Sequence, residues 1–167
     1  MECPFDEAFD GKPFCLKAMP IYETHSIYDK KHVFGPNGVK QGTVVKGAGH
    51  YESPLTVVND ETFIEGKWRK SISDIHSEYP FPFADNVPFP DKQFLEKFRG
   101  IMYGNRNYAI KHNQKDECVL CSQMLGNMEY TIQTDNTKFR FRDSLEHYYA
   151  KHNVWPSRMF HRFVMQY

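Results

Sequence analysis

The sequence predicts an α+β protein, with a small antiparallel β-sheet region followed by a C-terminal module of Cys-x-x-Cys knuckle, β-hairpin, helix and terminal helix. Three observations carry that expectation. β-branched and aromatic residues cluster between Val39 and Ile75, a Pro/Phe-rich run interrupts the chain after residue 78, and helical periodicity starts only beyond it. Composition agrees: among 167 residues Phe, Tyr and Trp number 14, 10 and 2, while Leu and Ala contribute six each. Such a chain suits short strands around an aromatic core better than a helical bundle.

Residues 1–38 hold few periodic apolar positions and are punctuated by Pro4, Pro13, Pro20 and Gly35-Pro36, so the expectation is extended chain packed on something else. Next, Thr43-Val44-Val45, Leu55-Thr56-Val57-Val58 and Thr62-Phe63-Ile64 read as strands, with Asn59-Asp60-Glu61 as a turn and Gly47-Ala48-Gly49 as a breaker. Tyr79-Pro80-Phe81-Pro82-Phe83 and Pro88-Phe89-Pro90 exclude a helix or a central strand, because each Pro removes a donor and constrains the residue before it. They form a seam between an extended, β-rich region over 1–80 and a second region over 81–167, read as two units or as one continuous domain.

Beyond the seam, Asp91 is placed to cap a helix whose apolar residues are Phe94, Leu95, Phe98, Ile101 and Met102, with Gly100 and Gly104 favouring an end near 103. Tyr130 to Thr134 and Thr137 to Phe141 alternate across Asp135-Asn136, the pattern of a hairpin with a two-residue turn. Asp143 can cap a helix reaching His152, where Asn153 suits the left-handed C-terminal position. A last helix starts at Pro156 or Ser157, with Met159, Phe160, Phe163 and Val164 on one face.

The strongest chemical signal is Cys118-Val119-Leu120-Cys121 followed by His147 and His152, a C-x2-C…H-x4-H arrangement. A Cys pair two apart lets one tight turn present both thiolates to an ion, with Gly126 expected to give the chain freedom to leave that turn. Two His five positions apart point about 140° away from each other on an ideal helix, so a helix that tightens or stops between them is required. Four clean ligands describe a closed, structural Zn2+ site rather than a catalytic one. The order knuckle, hairpin, helix follows the ββα logic of a zinc finger with a long spacer, and a treble-clef-like variant fits equally. The competing readings are incidental thiols with His147 and His152 as ordinary helix-surface residues, or a redox pair at Cys118 and Cys121. His112 is a spare ligand candidate or a surface residue, and Cys3 and Cys15 read as free buried thiols, with a disulfide between them as the other option.

Residues 87–167 resemble a small group of cytosolic proteins that share C-x-L-C, G-x-x-E-Y, an aromatic strand, and H-Y followed five residues after the His by H-x-V, Pro-Ser and Phe. The matching residues are Cys118-Val119-Leu120-Cys121, Gly126-Asn127-Met128-Glu129-Tyr130, Phe139-Arg140-Phe141, His147-Tyr148, His152-Asn153-Val154-Trp155-Pro156-Ser157 and Phe160. The resemblance covers half the chain and implies a zinc-stabilised module; the group has no assigned reaction, and residues 1–80 have no counterpart in it.

The net charge is zero, with 21 Lys+Arg against 21 Asp+Glu, which removes the long-range positive field of a typical nucleic-acid binder. The balance is uneven, since residues 101–167 hold nine cations against six acids and residues 1–100 the reverse bias. Lys138, Arg140 and Arg142 alternate with Phe139 and Phe141, giving one basic and one aromatic face. His50-Tyr51-Glu52-Ser53 and Asp74-Ile75-His76-Ser77-Glu78 contain catalytic residue types, yet sequence neighbours point apart and no catalytic site is assigned. No apolar run is long enough to span a membrane and no signal peptide is visible, so the expectation is an intracellular, cytoplasmic protein with an organelle left open. The expected function is a zinc-stabilised, non-enzymatic accessory subunit or protein-interaction protein of a larger assembly. A zinc-finger-like nucleic-acid binder comes second and a small metal-dependent hydrolase third; no small-molecule substrate is inferred.

Overall fold

The computed structural model describes residues 28–34, 40–47 and 52–167. Cys3, Cys15 and His50 lie outside them, as does most of the 1–38 segment expected to be extended chain. The three β-forming clusters become strands β2 (Lys40–Gly47), β3 (Leu55–Val57) and β4 (Thr62–Glu65), and they are preceded by a strand outside those clusters, β1 (Tyr28–Phe34), within the segment expected to be extended chain; each is antiparallel to the next. Asn59 makes the reversal into β4, its Oδ1 accepting the backbone N–H groups of Glu61 and Thr62, both at 2.9 Å. Further on come a two-residue β5 (Ile110–Lys111) and the expected hairpin, β6 (Met128–Thr134) and β7 (Thr137–Arg142). Asp135, at φ 48°, takes the turn between them.

The expectation of a small antiparallel sheet apart from the hairpin needs correction. β4 pairs in parallel with β7, setting Phe63 opposite Phe139, so the seven strands form one mixed sheet in the order β1-β2-β3-β4-β7-β6-β5. A parallel partner so distant in sequence leaves no turn signal near either strand, which is why the pairing is invisible locally.

Helix α1 (Phe94–Asn105) buries Phe94, Phe98, Ile101 and Met102, as its periodicity requires. It runs two residues past the expected end, because neither Gly100 nor Gly104 takes the left-handed conformation that ends a helix. Asp91 opens the preceding turn: its Oδ1 accepts Gln93 N–H at 3.0 Å and its carbonyl accepts Phe94 N–H. Helix α2 spans Leu145–His152 and ends with Asn153 in the left-handed region at φ 52°. Helix α3 (Arg158–Gln166) is capped by Ser157, whose Oγ accepts the Phe160 N–H.

The helices lie on one face of the sheet and close a core of rings. Phe139 sits 4.6 Å from Phe163 between ring centroids, Phe141 5.2 Å from Phe160 and 5.3 Å from Phe98, and Tyr149 5.3 Å from Phe94. Phe139 and Phe141 therefore belong to the main core, shared by sheet and helices, while Lys138, Arg140 and Arg142 alternate away from it. The Pro/Phe seam carries neither helix nor strand, yet it is tied down: Arg69 donates to the carbonyls of Tyr79 and Ser77, and Asn153 and Trp155 donate to those of Asp85 and Val87.

Candidate metal centre

Between β5 and β6 the chain folds into a knuckle. Glu117 bridges Met124, Cys118 N–H reaches Gln123 O and Ser122 N–H reaches Cys118 O, both at 2.8 Å. Ser122 takes the left-handed conformation at φ 64° that reverses the chain directly after Cys121. The two Cys are thereby brought to one side of the turn, facing α2, with His147 in the first turn of the helix and His152 at its last residue.

The ligand atoms of Cys118, Cys121, His147 and His152 all lie within 4.8 Å of one another. Cys118 Sγ is 3.4 Å from His152 Nε2, and Cys121 Sγ is 3.4 Å from His147 Nε2. A tetrahedral ion with bonds of about 2.3 Å to sulfur and about 2.0 Å to nitrogen separates S from N by about 3.5 Å, so the two cross-pairs stand at ligand spacing. The four side chains are compatible with a metal site. The helix, however, does not stop between the two His. Its first turn is tightened by the His147 N–H to Ser144 O bond, it ends on His152, and the rings converge through their outer Nε2 atoms with centroids 5.0 Å apart. Reach of the imidazoles makes up the angular mismatch that the backbone was expected to remove.

Electrostatics keep the imidazoles in their ligating, neutral form. Partial burial, then the neighbouring His152 and Lys151, hold His147 below the usual histidine range, and burial followed by Lys151 does the same for His152.

Several supporting residues carry no sequence signal of their own. Tyr148 is buried under the knuckle, its hydroxyl accepting Val119 N–H at 2.9 Å and hydrogen-bonding Cys118, and its ring lies 4.5 Å from that of Trp68. Burial is the main cause that pushes this phenol well above its ordinary range. Asp116 accepts both nitrogens of the Arg142 fork at 3.1 Å and the Ser144 hydroxyl at 3.0 Å, tying the knuckle to the strand-to-helix junction. Gly126 needs a correction of role. A Cβ there would stand 2.0 Å from Asp143 Oδ2, so the glycine admits the carboxylate that accepts Met128 N–H; close approach, not freedom to bend, explains it.

The other candidates sit elsewhere. His112 faces Glu129 Oε1 at 3.1 Å and is outside the group of four. Glu52 is paired with Arg158 at 3.0 Å and Ser53 Oγ donates to Trp155 O, so both serve the docking of α3's approach; Asp74 to His76 are exposed. Among the described residues no helix is long and apolar enough to cross a membrane. Comparison with family models, with curated proteins and with solved structures finds no match to this chain.

Proposed function

We propose that this chain is a zinc-stabilised, non-enzymatic interaction protein that serves as an accessory subunit of a larger intracellular assembly. The observation that carries the first half is the convergence of Cys118, Cys121, His147 and His152 within 4.8 Å, with both S···N pairs at 3.4 Å. Four protein ligands fill a tetrahedron and leave no position for an activated water, so the ion staples the knuckle to α2. The second half draws on the surface. Tyr103, Tyr108 and Ile110 are 70%, 84% and 56% exposed and fall within eight residues, from the end of α1 to the edge strand β5. Large apolar side chains grouped in this way mark protein contacts. The nucleic-acid reading is weakened by the cations it would need, since Arg140 pairs with Glu129 and Arg142 with Asp116.

Metal analysis of untagged protein tests the staple: one zinc per chain is expected, and zinc-free protein with full near-UV structure would end the reading. For the partner, the expected result is co-fractionation in a defined assembly that persists at high salt. Retention on nucleic acid that falls steeply with salt would replace it with the binder reading.

A further inference from the structure

The two sulfur atoms of the cluster occupy opposite surroundings. Cys118 is 1% exposed, packs with Tyr148 and Val154, and its Sγ accepts the Leu120 N–H at 3.4 Å as well as a hydrogen bond from the Tyr148 hydroxyl. Cys121 lies on the surface, and among the described residues its recorded polar contact is the His147 ring. Donors aimed at a thiolate draw off its charge and reduce its nucleophilicity, whereas a bare, solvent-facing thiolate keeps it. A metal-bound Cys is deprotonated outright, so with zinc bound as proposed above Cys121 would present its sulfur to solvent as a metal thiolate. Accessible thiolate character with a second Cys at hand is the arrangement of an oxidant-sensing pair.

We infer that the cluster is an oxidant-responsive site at which a hydroperoxide reacts first with Cys121, Cys118 resolves the product, and the metal is released. The inference rests on the zinc reading above. In the first step the Cys121 thiolate attacks a peroxide oxygen; the S–O bond forms, the O–O bond breaks and hydroxide leaves. In the second step the Cys118 thiolate attacks the sulfenic sulfur, the S–S bond forms and the S–O bond breaks with loss of a second hydroxide. The two thiolates lose two electrons, the peroxide gains them, and the hydroxides take up protons to become water. The disulfide would leave only His147 and His152 of the four side chains that would hold Zn2+, too few to retain it. The sulfurs start within 4.8 Å of each other, in a turn that already holds both on one side, so closing to bond length is a local movement of the knuckle. Its consequence is also local: the side chains of Val119, Leu120 and Leu125 that pack on Tyr148 and Cys118 lose their anchor.

The test is titration of the zinc-loaded full chain with hydrogen peroxide, following zinc with a chromogenic chelator and locating oxidised thiols by peptide mass. One zinc and one Cys118–Cys121 disulfide per chain are expected to appear together. Cys121→His keeps a nitrogen ligand at the exposed position while removing its thiolate, and release is expected to slow by about tenfold or more. Protein that retains its zinc with both thiols intact, or whose disulfide maps to Cys3 and Cys15 while the metal leaves, overturns the inference and leaves the zinc reading standing. Protein that neither contains nor takes up zinc overturns both.

Discussion

Among the described residues seventeen apolar side chains are buried in one cluster under the helices, whereas beneath the knuckle only Cys118, Tyr148 and Val154 are. The larger cluster is closed by interlocking rings from β7, α1, α2 and α3, and needs nothing but packing. The smaller is fringed by half-buried Trp68, Val119, Leu120 and Leu125, too little apolar surface to hold a turn and a helix end together without a cross-link. One molecule thus uses two means of closure. Where rings are available the chain packs; where the turn carries two thiols and two imidazoles, coordination is the means we propose.

The comparison can be broken most forcefully at Phe160, which touches Phe98, Phe139 and Phe141. Phe160→Ala is expected to cost about 3–5 kcal/mol. Urea denaturation followed by circular dichroism checks it, and a loss below about 1 kcal/mol would mean that the ring cluster is not what holds the sheet to the helices.

A second effect distinguishes the main core by pH. Glu65 is fully buried on β4, where Ser157 Oγ and N–H and the Tyr149 hydroxyl donate to it at 2.6, 2.8 and 3.3 Å. Burial outweighs these bonds and raises its carboxyl to about 8 from 4.5. The native state therefore holds the proton more tightly than the unfolded chain. The stability this supplies is complete below pH 4.5 and declines as pH rises through about 8, at up to about 1.4 kcal/mol per unit. Urea midpoints between pH 7 and 9 are expected to fall in the native protein and to stay nearly level in Glu65→Gln. His161 runs the other way. It is held below the usual histidine range chiefly by burial, so its contribution is lost as pH falls through its lowered value. Equal slopes for native protein and variant would show that Glu65 is ionised in the core at neutral pH.

The smallest expected effect isolates the metal corner. Tyr148→Phe removes the hydroxyl that bridges Val119 N–H and Cys118, at about 1 kcal/mol in local stability and about tenfold in zinc affinity. Competition with a chelator measures the affinity, and hydrogen exchange at Val119 and Leu120 should quicken while α1 and α3 stay protected. If α1 and α3 loosened equally, the two regions would be one cooperative unit and the contrast drawn above would fail.

Much of this was readable along the chain. The alternation of Phe139 and Phe141, the 3–4 spacing of Met159, Phe160, Phe163 and Val164 and the left-handed Asn153 are all local, and each stands where its pattern placed it. The same holds for the four ligands: their two short spacings, with a hairpin between, already implied that knuckle and helix end must meet. Gly126 was noticed for a different reason from the one its neighbour Asp143 imposes. Glu65 and Asp116 carry no signal along the chain, and Tyr148 stands there only as part of the His147-Tyr148 pattern, because a single polar residue at an ordinary position looks the same whether it faces water or the core.

Apart from β1 and β5, the amino-acid sequence alone determined which segments are strands and helices, that the core is aromatic, and which four side chains share one corner. These follow from periodicity, capping and spacing, which act over a few residues. Only the tertiary structure decided that β4 lies parallel to β7, that the 3.4 Å cross-pairs are bridged by imidazole reach, and that Cys118 is enclosed while Cys121 faces solvent. Those outcomes depend on which distant surfaces come together, and burial is a property of that meeting.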